Sequence, residues 1–342
     1  MIVKLKGNAN PTDVQHLKDH LRSQGFELHE SIGTSYSIFG VVGDTAQFDM
    51  RSLYAYECVD SVVRVQEPFK KVNRKFTPDD TIITVKGVPI GGPDVIIMAG
   101  PCSVESKEQV DIIAKAVKES GASILRGGAF KPRTSPYSYQ GMGVEGLQIL
   151  QEIGEKYGMP VISEVMSTED VDVFVEHVDI IQVGARNMQN FALLKALGAT
   201  DKPILLKRGF ANTIEEWLMS AEYIMAGGNP NVILCERGIR TFEPYTRNTL
   251  DISTVPVVKK LSHLPVIIDP SHAAGKWDYV ESLSLASIAA GADGLIIEVH
   301  HNPEHAMSDG AQSLKPKKFD ELMKRAKVVS QAVDRDLYEK KE

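Results

Sequence analysis

The sequence predicts an α/β protein: a (β/α)8 TIM barrel with an N-terminal ferredoxin-like βαββαβ domain. Three observations carry that prediction. From Val95 onward, short apolar, β-rich runs alternate with amphipathic stretches eight times over. Charged or metal-capable residues follow nearly every run, whereas the runs begin PVIS, PILL and PVII, with little chemistry. Ahead of Val95, the apolar pattern runs in the order strand, helix, strand, strand, helix, strand.

Bulk properties set limits on function. The 342 residues are 43% hydrophobic and 24% charged, with a net charge of −7, an ordinary globular composition with room for one large and one small domain. Mild acidity argues against nucleic acid as a partner, because a phosphate backbone demands a basic face. Cys58, Cys102 and Cys235 are too few and too scattered for a disulfide framework, which predicts a reducing, cytoplasmic compartment. The opening MIVKLKGNANPTD shows no secretory h-region. No apolar run is long enough to span a bilayer, so no membrane partner is expected.

Residues 1–69 are assigned to the small domain. Residues 1–6 alternate like a half-buried strand. Residues 11–24 place Val14, Leu17 and Leu21 at helical spacing, with Gly25 as the stop. Residues 26–32 and 35–42 are strand-like, with a hairpin turn at Gly33-Thr34. Residues 46–55 read as a helix and 59–65 as the last strand, completing a ferredoxin-like order. His16 and His20 have the i,i+4 spacing of a helical metal pair, but no third ligand accompanies them, so they read as surface histidines. Cys58 reads as a packing residue. By itself this fold suits a small-molecule sensor or an oligomer contact, and decides neither.

Residues 70–94 are assigned to a linker and a β-hairpin. KKVNRKFTPDD is polar and charged, and residues 81–94 end in Gly91-Gly92-Pro93.

Residues 95–342 are assigned to the barrel. The strand runs are 95–99, 123–125, 160–162, 179–183, 203–206, 232–234, 265–268 and 294–297. Continuous apolar runs suit strands buried on both faces of a parallel sheet. Amphipathic stretches at 107–119, 144–157, 212–226 and 280–290 fit the crossover helices. A doubly wound open sheet is the alternative. A barrel puts its function where the strands end. Those ends carry Cys102; Arg126 and Lys131; Glu164; Gly184 to Asn187; Lys207-Arg208; Glu236-Arg237; Asp269 to His272; and Glu298 to His300.

The second strand end reads LRGGAFKPRTSP and gathers Arg126, Lys131 and Arg133 in a short loop. Pro132 and Pro136 fix φ there, and Gly127-Gly128 allows a close approach to the backbone. A solvated basic turn would look similar. The remaining strand ends repeat the theme, however, with Arg186, Lys207 and Arg237. Guanidinium groups grip phosphate or carboxylate through paired bonds. Six cations at one mouth exceed the needs of a single phosphate, so two anionic ligands or one multiply charged ligand are expected, with one or two of the cations held in salt bridges.

A second group, Cys102, His272, Glu298 and Asp309, combines a thiol, an imidazole and two carboxylates. Such a mixed set suits a divalent ion such as Mn²⁺, Fe²⁺, Co²⁺ or Zn²⁺. With one position left open, the ion acts as a Lewis acid. His300, His301 and His305 are rival ligands, His300 being the best placed to support the site or touch substrate. Cys235 lies inside a strand run and reads as core.

AGPCSVES at 99–106, LRGGAFKPRTSPYSYQG at 125–141, QVGARNMQN at 182–190 and LLKRG at 205–209 resemble the DAHP (3-deoxy-arabino-heptulosonate 7-phosphate) synthase family. So do CERGIRTFE at 235–243, RNTLDIS at 247–253, DPSHAAG at 269–275 and EVH…SDG at 298–310. The likeness runs from about Val95 to the C-terminus. The first domain resembles the regulatory domain of the family's short, single-chain branch, which binds aromatic amino acids.

The resemblance implies condensation of phosphoenolpyruvate with erythrose 4-phosphate, the entry step of the shikimate route, with release of phosphate. It implies metal ligands at Cys102, His272, Glu298 and Asp309. It implies phosphoenolpyruvate contacts at Arg126, Lys131, Arg186, Lys207 and Arg237, with the Ala185 N–H. Lys131, Pro132, Arg133 and Thr134 look like the erythrose 4-phosphate site, with Arg133 and Ser135 toward its phosphate. Lys131 is expected to donate a proton to the aldehyde oxygen, Glu164 to assist the attacking water, and Asp269 to complete the catalytic set. Feedback inhibition by phenylalanine or tyrosine, a homotetramer and a chorismate mutase partner are further implications. His301 departs from the proline expected there. The nearest rival, 3-deoxy-manno-octulosonate 8-phosphate synthase, typically reads KANRSS where this chain has KPRTSP. A barrel that senses without catalysing would be expected to lack a metal ligand, and all four are present.

Overall fold

The computed structural model describes residues 1–32, 37–43, 45, 48–64, 67–131 and 137–339. It divides into two compact units: Met1–Asp79 with Lys260–His263, and Asp80–Lys259 with Leu264–Glu342.

In the first unit, β1 (Ile2–Leu5), α1 (Pro11–Ser23), β2 (Glu27–Ile32), β3 (Ser37–Val42) and β4 (Val59–Val63) form a helix-backed antiparallel sheet of order β2-β3-β1-β4. Asn10 caps α1 by accepting from the Thr12 N–H, and Pro11 stands at its first position. Leu17 and Leu21 on α1 pack with Val3, Leu5, Phe39, Val41 and Cys58. Strand alternation sends Ile2 and Ile38 to the opposite face, against Phe76. His16 is exposed, and His20 lies among aromatic rings, 5.8 Å from Tyr56.

Two local expectations are corrected. The helix expected at 46–55 is a 3-10 helix over Met50–Ala55. Asp49 caps it through the Arg51 N–H, and Tyr56 is already extended, which leaves too few residues for a regular α-helix. Residues 70–79 are not a free linker. Val72 and Phe76 are buried, Asn73 bridges to Ser262, and the Arg74 N–H donates to the Leu261 carbonyl at 2.9 Å. Polar composition concealed these apolar anchors. The turn expected at Gly33-Thr34 lies outside the described residues.

In the second unit, a hairpin of β5 (Ile83–Val85) and β6 (Val88–Ile90) precedes a closed parallel barrel. Its strands are β7 (Ile96–Gly100), β8 (Ile124–Arg126), β9 (Val161–Val165), β10 (Ile180–Val183), β11 (Ile204–Lys207), β12 (Val232–Glu236), β13 (Val266–Ile268) and β14 (Gly294–Glu298). The intervening and final helices are α2 (Lys107–Glu119), α3 (Val144–Lys156), α4 (Val171–His177), α5 (Phe191–Gly198), α6 (Ile214–Ala226), α7 (Thr254–Leu261), α8 (Pro270–Ala274), α9 (Trp277–Ala289) and α10 (Pro316–Ala332). The predicted (β/α)8 barrel is therefore the observed one, and β14 closes onto β7.

The hairpin residues Ile83, Val85, Val88 and Ile90 pack with Ile96, Ile124, Ile180, Ile233 and Cys235 inside the barrel. The end where the strands begin is thus filled with hydrocarbon. Chemistry is left to the other end.

Candidate active site and metal centre

Strand ends supply every wall of one polar cavity. Lys131 follows β8, Glu164 lies on β9, Gly184, Ala185 and Arg186 follow β10, and Lys207 ends β11. Arg237 follows β12, His272 follows β13 and Asp309 follows β14. Phe210 and Arg247, which sequence reasoning missed, complete the lining. Pro132, Arg133, Thr134 and Ser135, expected to bind the aldose phosphate, lie outside the described residues.

The proposed ligands of an ion converge. Donor atoms of Cys102, Glu298 and Asp309 all lie within 4.8 Å of one another. His272 stands just beside this trio, with Nε2 3.4 Å from Glu298 Oε1 and 3.9 Å from Asp309 Oδ2. Each donor has a local cause. Asp309 sits at φ 51°, in the left-handed region that Asp tolerates better than most residues. Glu298 is fixed by Arg126 at 2.8 Å on Oε1 and by Gln312 at 2.8 Å on Oε2. His272 is held by Asp269, whose Oδ2 lies 2.7 Å from Nδ1.

Protonation states suit the same role. Burial lowers the His272 pKa from its ordinary value, favouring the neutral imidazole that metals bind. Burial opposes charge on Glu298, but the His272 ring and Arg126 outweigh it and hold the carboxyl below its usual value. Asp309 is held down at about 2: His272, Arg247 and Lys131 outweigh its burial. Burial and then Glu298 push the Cys102 thiol up to about 12. One soft donor, one imidazole and two carboxylates in this arrangement fit a divalent ion. The rival His300 is engaged elsewhere: its Nε2 is 3.4 Å from Glu105 Oε2, and its Nδ1 accepts the Asn302 N–H. His301 and His305 are exposed.

The cations divide into two kinds. Arg126 and Lys207 are buried in ion pairs with Glu298 and Asp269 respectively, so two of the expected anion contacts are internally partnered. Arg126 keeps one buried donor, Nε, without a partner. Arg186 and Arg237 have no carboxylate partner among the described residues. Arg237 donates to the carbonyls of Gly238 and His272 at 3.5 and 3.3 Å. Burial lowers its pKa, Asp269 pulls the other way and Arg247 adds to the lowering. A buried guanidinium facing a cavity in this state is prepared for an anion.

Lys131 donates to the Cys102 carbonyl at 2.9 Å and lies 3.1 Å from Sγ. A Cβ on Gly128 would lie 3.0 Å from the Lys131 ammonium and 2.8 Å from the Cys102 carbonyl. Gly128 therefore makes room for this lysine, rather than for a ligand as the sequence suggested. Glu164 accepts from Gln182 at 2.9 Å. Asp269, expected in the catalytic set, is buried behind the wall and is not part of the lining.

The profile of the DAHP synthetase I family matches residues 79–335, and that of the DAHP synthase ferredoxin-like domain matches residues 1–67. The chain belongs to the DAHP synthetase I family. Membership makes it an enzyme, a transferase of aromatic biosynthesis. A phospho-2-dehydro-3-deoxyheptonate aldolase of Thermotoga maritima is 50% identical, over 97% of this chain and 98% of its own length. The crystal structure of DAHP synthase from that organism superposes with a TM-score of 0.79 at 49% identity, covering 98% of this chain and 99% of the other. A truncated form of 3-deoxy-D-arabino-heptulosonate 7-phosphate synthase from Thermotoga maritima gives 0.74 at 50% identity, covering 79% of this chain and 99% of the other. A 2-dehydro-3-deoxyphosphooctonate aldolase of Geobacter sulfurreducens is more distant, 33% identical over 73% of this chain and 98% of its own length. No helix among the described residues is long and apolar enough to cross a membrane.

Proposed function

We propose that the chain condenses phosphoenolpyruvate with D-erythrose 4-phosphate to 3-deoxy-D-arabino-heptulosonate 7-phosphate and phosphate. The observation that carries this reading is one cavity lined both by the guanidinium groups of Arg186 and Arg237, which have no carboxylate partner among the described residues, and by His272 and Asp309 of the ligand cluster. The heptulosonate reading is favoured over the octulosonate one by the gap between 50% and 33% identity.

Cys102, His272, Glu298 and Asp309 would hold a divalent ion, which when bound supplies Lewis-acid polarisation of an aldehyde oxygen. The chain's own residues do the rest. Arg186, Arg237 and the Ala185 N–H grip the enolpyruvate anion, and Lys207 adds positive field from the wall. Arg126 contributes through Glu298, which it orients. C3 of phosphoenolpyruvate forms the new bond to the aldehyde carbon, and Lys131 gives a proton to the aldehyde oxygen as charge grows there. Water adds at C2 and passes its proton to Glu164. The resulting phosphohemiketal collapses to the keto acid and releases phosphate. Asp269 acts as a positioning residue behind His272 and Lys207. Arg133 and Ser135 are assigned to the aldose phosphate by resemblance alone.

Phosphate release on mixing both substrates, with and without a chelator, tests the whole reading. Preference for arabinose 5-phosphate would overturn the substrate assignment, and full activity in excess chelator would overturn the ion. The first unit is assigned feedback inhibition by phenylalanine or tyrosine. Deleting residues 1–69 should retain turnover and abolish inhibition; inhibition surviving in the truncated chain would refute it. That cut spares residues 70–79 and their bonds to Leu261 and Ser262. A homotetramer, with chorismate mutase as partner, is the assembly expected by sedimentation.

A further inference from the structure

Among the described residues, Phe210 is the one aromatic side chain lining the cavity. Three guanidinium groups gather around its ring: Arg237 and Arg240 at 4.8 Å from the centroid, and Arg186 at 5.6 Å. All three fall within the roughly 6 Å over which an aromatic quadrupole attracts a cation. Guanidinium, planar and weakly hydrated, is the cation best suited to lie against such a ring.

The backbone holds the ring in place. Gly209, just before it, donates its N–H to Met188 Sδ at 3.1 Å, and a Cβ at Gly209 would strike Asn212 Oδ1. The Phe210 carbonyl accepts the Arg240 N–H at 2.7 Å, tying the loop after β11 to the loop after β12. Arg186 and Arg240 are both exposed and Arg237 is buried; Arg186 and Arg237 line the cavity, and Arg240 does not. Among the described residues, neither Arg186 nor Arg237 has a carboxylate at ion-pair distance to orient it. Without the ring, Arg237 would keep only its long bonds to the Gly238 and His272 carbonyls, and the exposed side chain of Arg186 would lose the contact that holds it beside Arg237.

We propose that Phe210 is a positioning residue for the anionic enolpyruvate substrate: its ring holds Arg186 and Arg237 in one fixed cradle. The proposal rests on the assignment of those two arginines to phosphoenolpyruvate. The ring prepays the ordering that each guanidinium would otherwise lose on binding, so its effect falls on the affinity for one substrate.

The test uses the full chain supplied with a divalent ion, and the variants Phe210→Leu, Phe210→Met, Phe210→Tyr and Arg186→Ala. Steady-state kinetics gives the KM for each substrate, and calorimetry measures phosphoenolpyruvate binding without the aldose. Phe210→Leu and Phe210→Met should each weaken phosphoenolpyruvate about five- to thirty-fold, in both KM and Kd. Their KM for erythrose 4-phosphate and their kcat should stay within about twofold, and Phe210→Tyr, which keeps the ring, should restore phosphoenolpyruvate affinity. Unchanged phosphoenolpyruvate affinity in the leucine and methionine variants, or an equal rise in both KM values, overturns the proposal. If Arg186→Ala leaves phosphoenolpyruvate binding intact, the anion assignment itself fails. If Arg186→Ala weakens binding and loss of the ring does not, only the role of Phe210 fails.

Discussion

Asp269 holds His272 with both of its carboxylate oxygens: Oδ1 accepts the backbone N–H at 2.9 Å, and Oδ2 lies 2.7 Å from the ring Nδ1. The imidazole is thereby committed to present Nε2 to Glu298 and Asp309. The same Oδ2 takes the ammonium of Lys207. Burial alone would raise the Asp269 pKa, but His272 and Lys207 outweigh it and hold the carboxyl well below its ordinary value. A depressed carboxyl stabilises the fold above its unfolded pKa of about 4, and that contribution is lost as pH falls toward its native value. Asp269→Asn should therefore remove an acid-sensitive part of the stability. It should also leave Lys207 buried without a counter-charge, a loss of about 3–5 kcal/mol. Ion affinity should fall about 10- to 100-fold as the ring loses its orientation. Urea unfolding at several pH values, with ion titration of the folded variant, checks both. Parental ion affinity in the variant would deny Asp269 its positioning role.

Lys131 is the movable charge nearest the proposed ion. Burial works against its ammonium, yet Cys102 once ionised, with the carboxylates of Glu298 and Glu164, outweighs burial and holds its pKa above the usual lysine value. It is a proton donor at neutral pH, which is what the developing alkoxide requires. Lys131→Ala should lower kcat by about 10²- to 10⁴-fold. Ion binding should persist, because Cys102, His272, Glu298 and Asp309 are untouched. Near-normal turnover in that variant would remove Lys131 from the chemistry, and loss of the ion with the activity would make it structural.

The Cys102 thiol, pushed up to about 12, is protonated at neutral pH in the ion-free chain. Metals bind the thiolate, so binding must expel that proton, and affinity should rise with pH, by about tenfold per unit below the thiol pKa. Titrating the chelator-treated protein with Zn²⁺ in weakly buffered solution should acidify it, and Cys102→Ser should bind more weakly and release fewer protons. Binding without proton release would show that Cys102 is not a ligand.

The barrel was legible because its strands are buried on both faces and read as unbroken apolar runs. The helix expected at 107–119 is α2, residue for residue. The apolar runs stop short of the strands' far ends. Arg126, Glu236 and Glu298 are the last residues of their strands, and Glu164 lies within β9 rather than beyond it. An apolar run stops at its first charge, whereas a ladder keeps pairing through it. Proximity of the ligand set was legible from the strand ends, but the pairing of charges was not. Arg126 meets Glu298 across 172 positions and Lys207 meets Asp269 across 62, and only the closed barrel brings them together. Arg247 returns to the cavity because its N–H donates to the Ala274 carbonyl, a long-range bond with no local signal. Phe210, one aromatic residue after LLKRG, carries no periodicity at all.

Gly184 offers a test of Glu164 that leaves the carboxylate's chemistry in place and moves only its position. The glycine has φ −69° and ψ 158°, which alanine adopts freely, so any effect of a methyl group is steric. A Cβ there would lie 1.9 Å from Glu164 Oε1 and 2.6 Å from its Cδ. The Glu164 carboxylate must therefore swing away and give up its bond from Gln182. Overpacking of this kind destabilises by about 1–3 kcal/mol, a change that thermal unfolding will register without loss of the fold. If Glu164 receives the proton of the attacking water, Gly184→Ala and Glu164→Gln should each lower kcat by about 10²-fold or more. Their double variant should be little worse than either, since both remove the same function and coupled losses do not add. Additive losses would mean that the methyl group acts on something other than Glu164, such as the neighbouring Ala185 N–H. Normal turnover in Glu164→Gln would leave the water to another base.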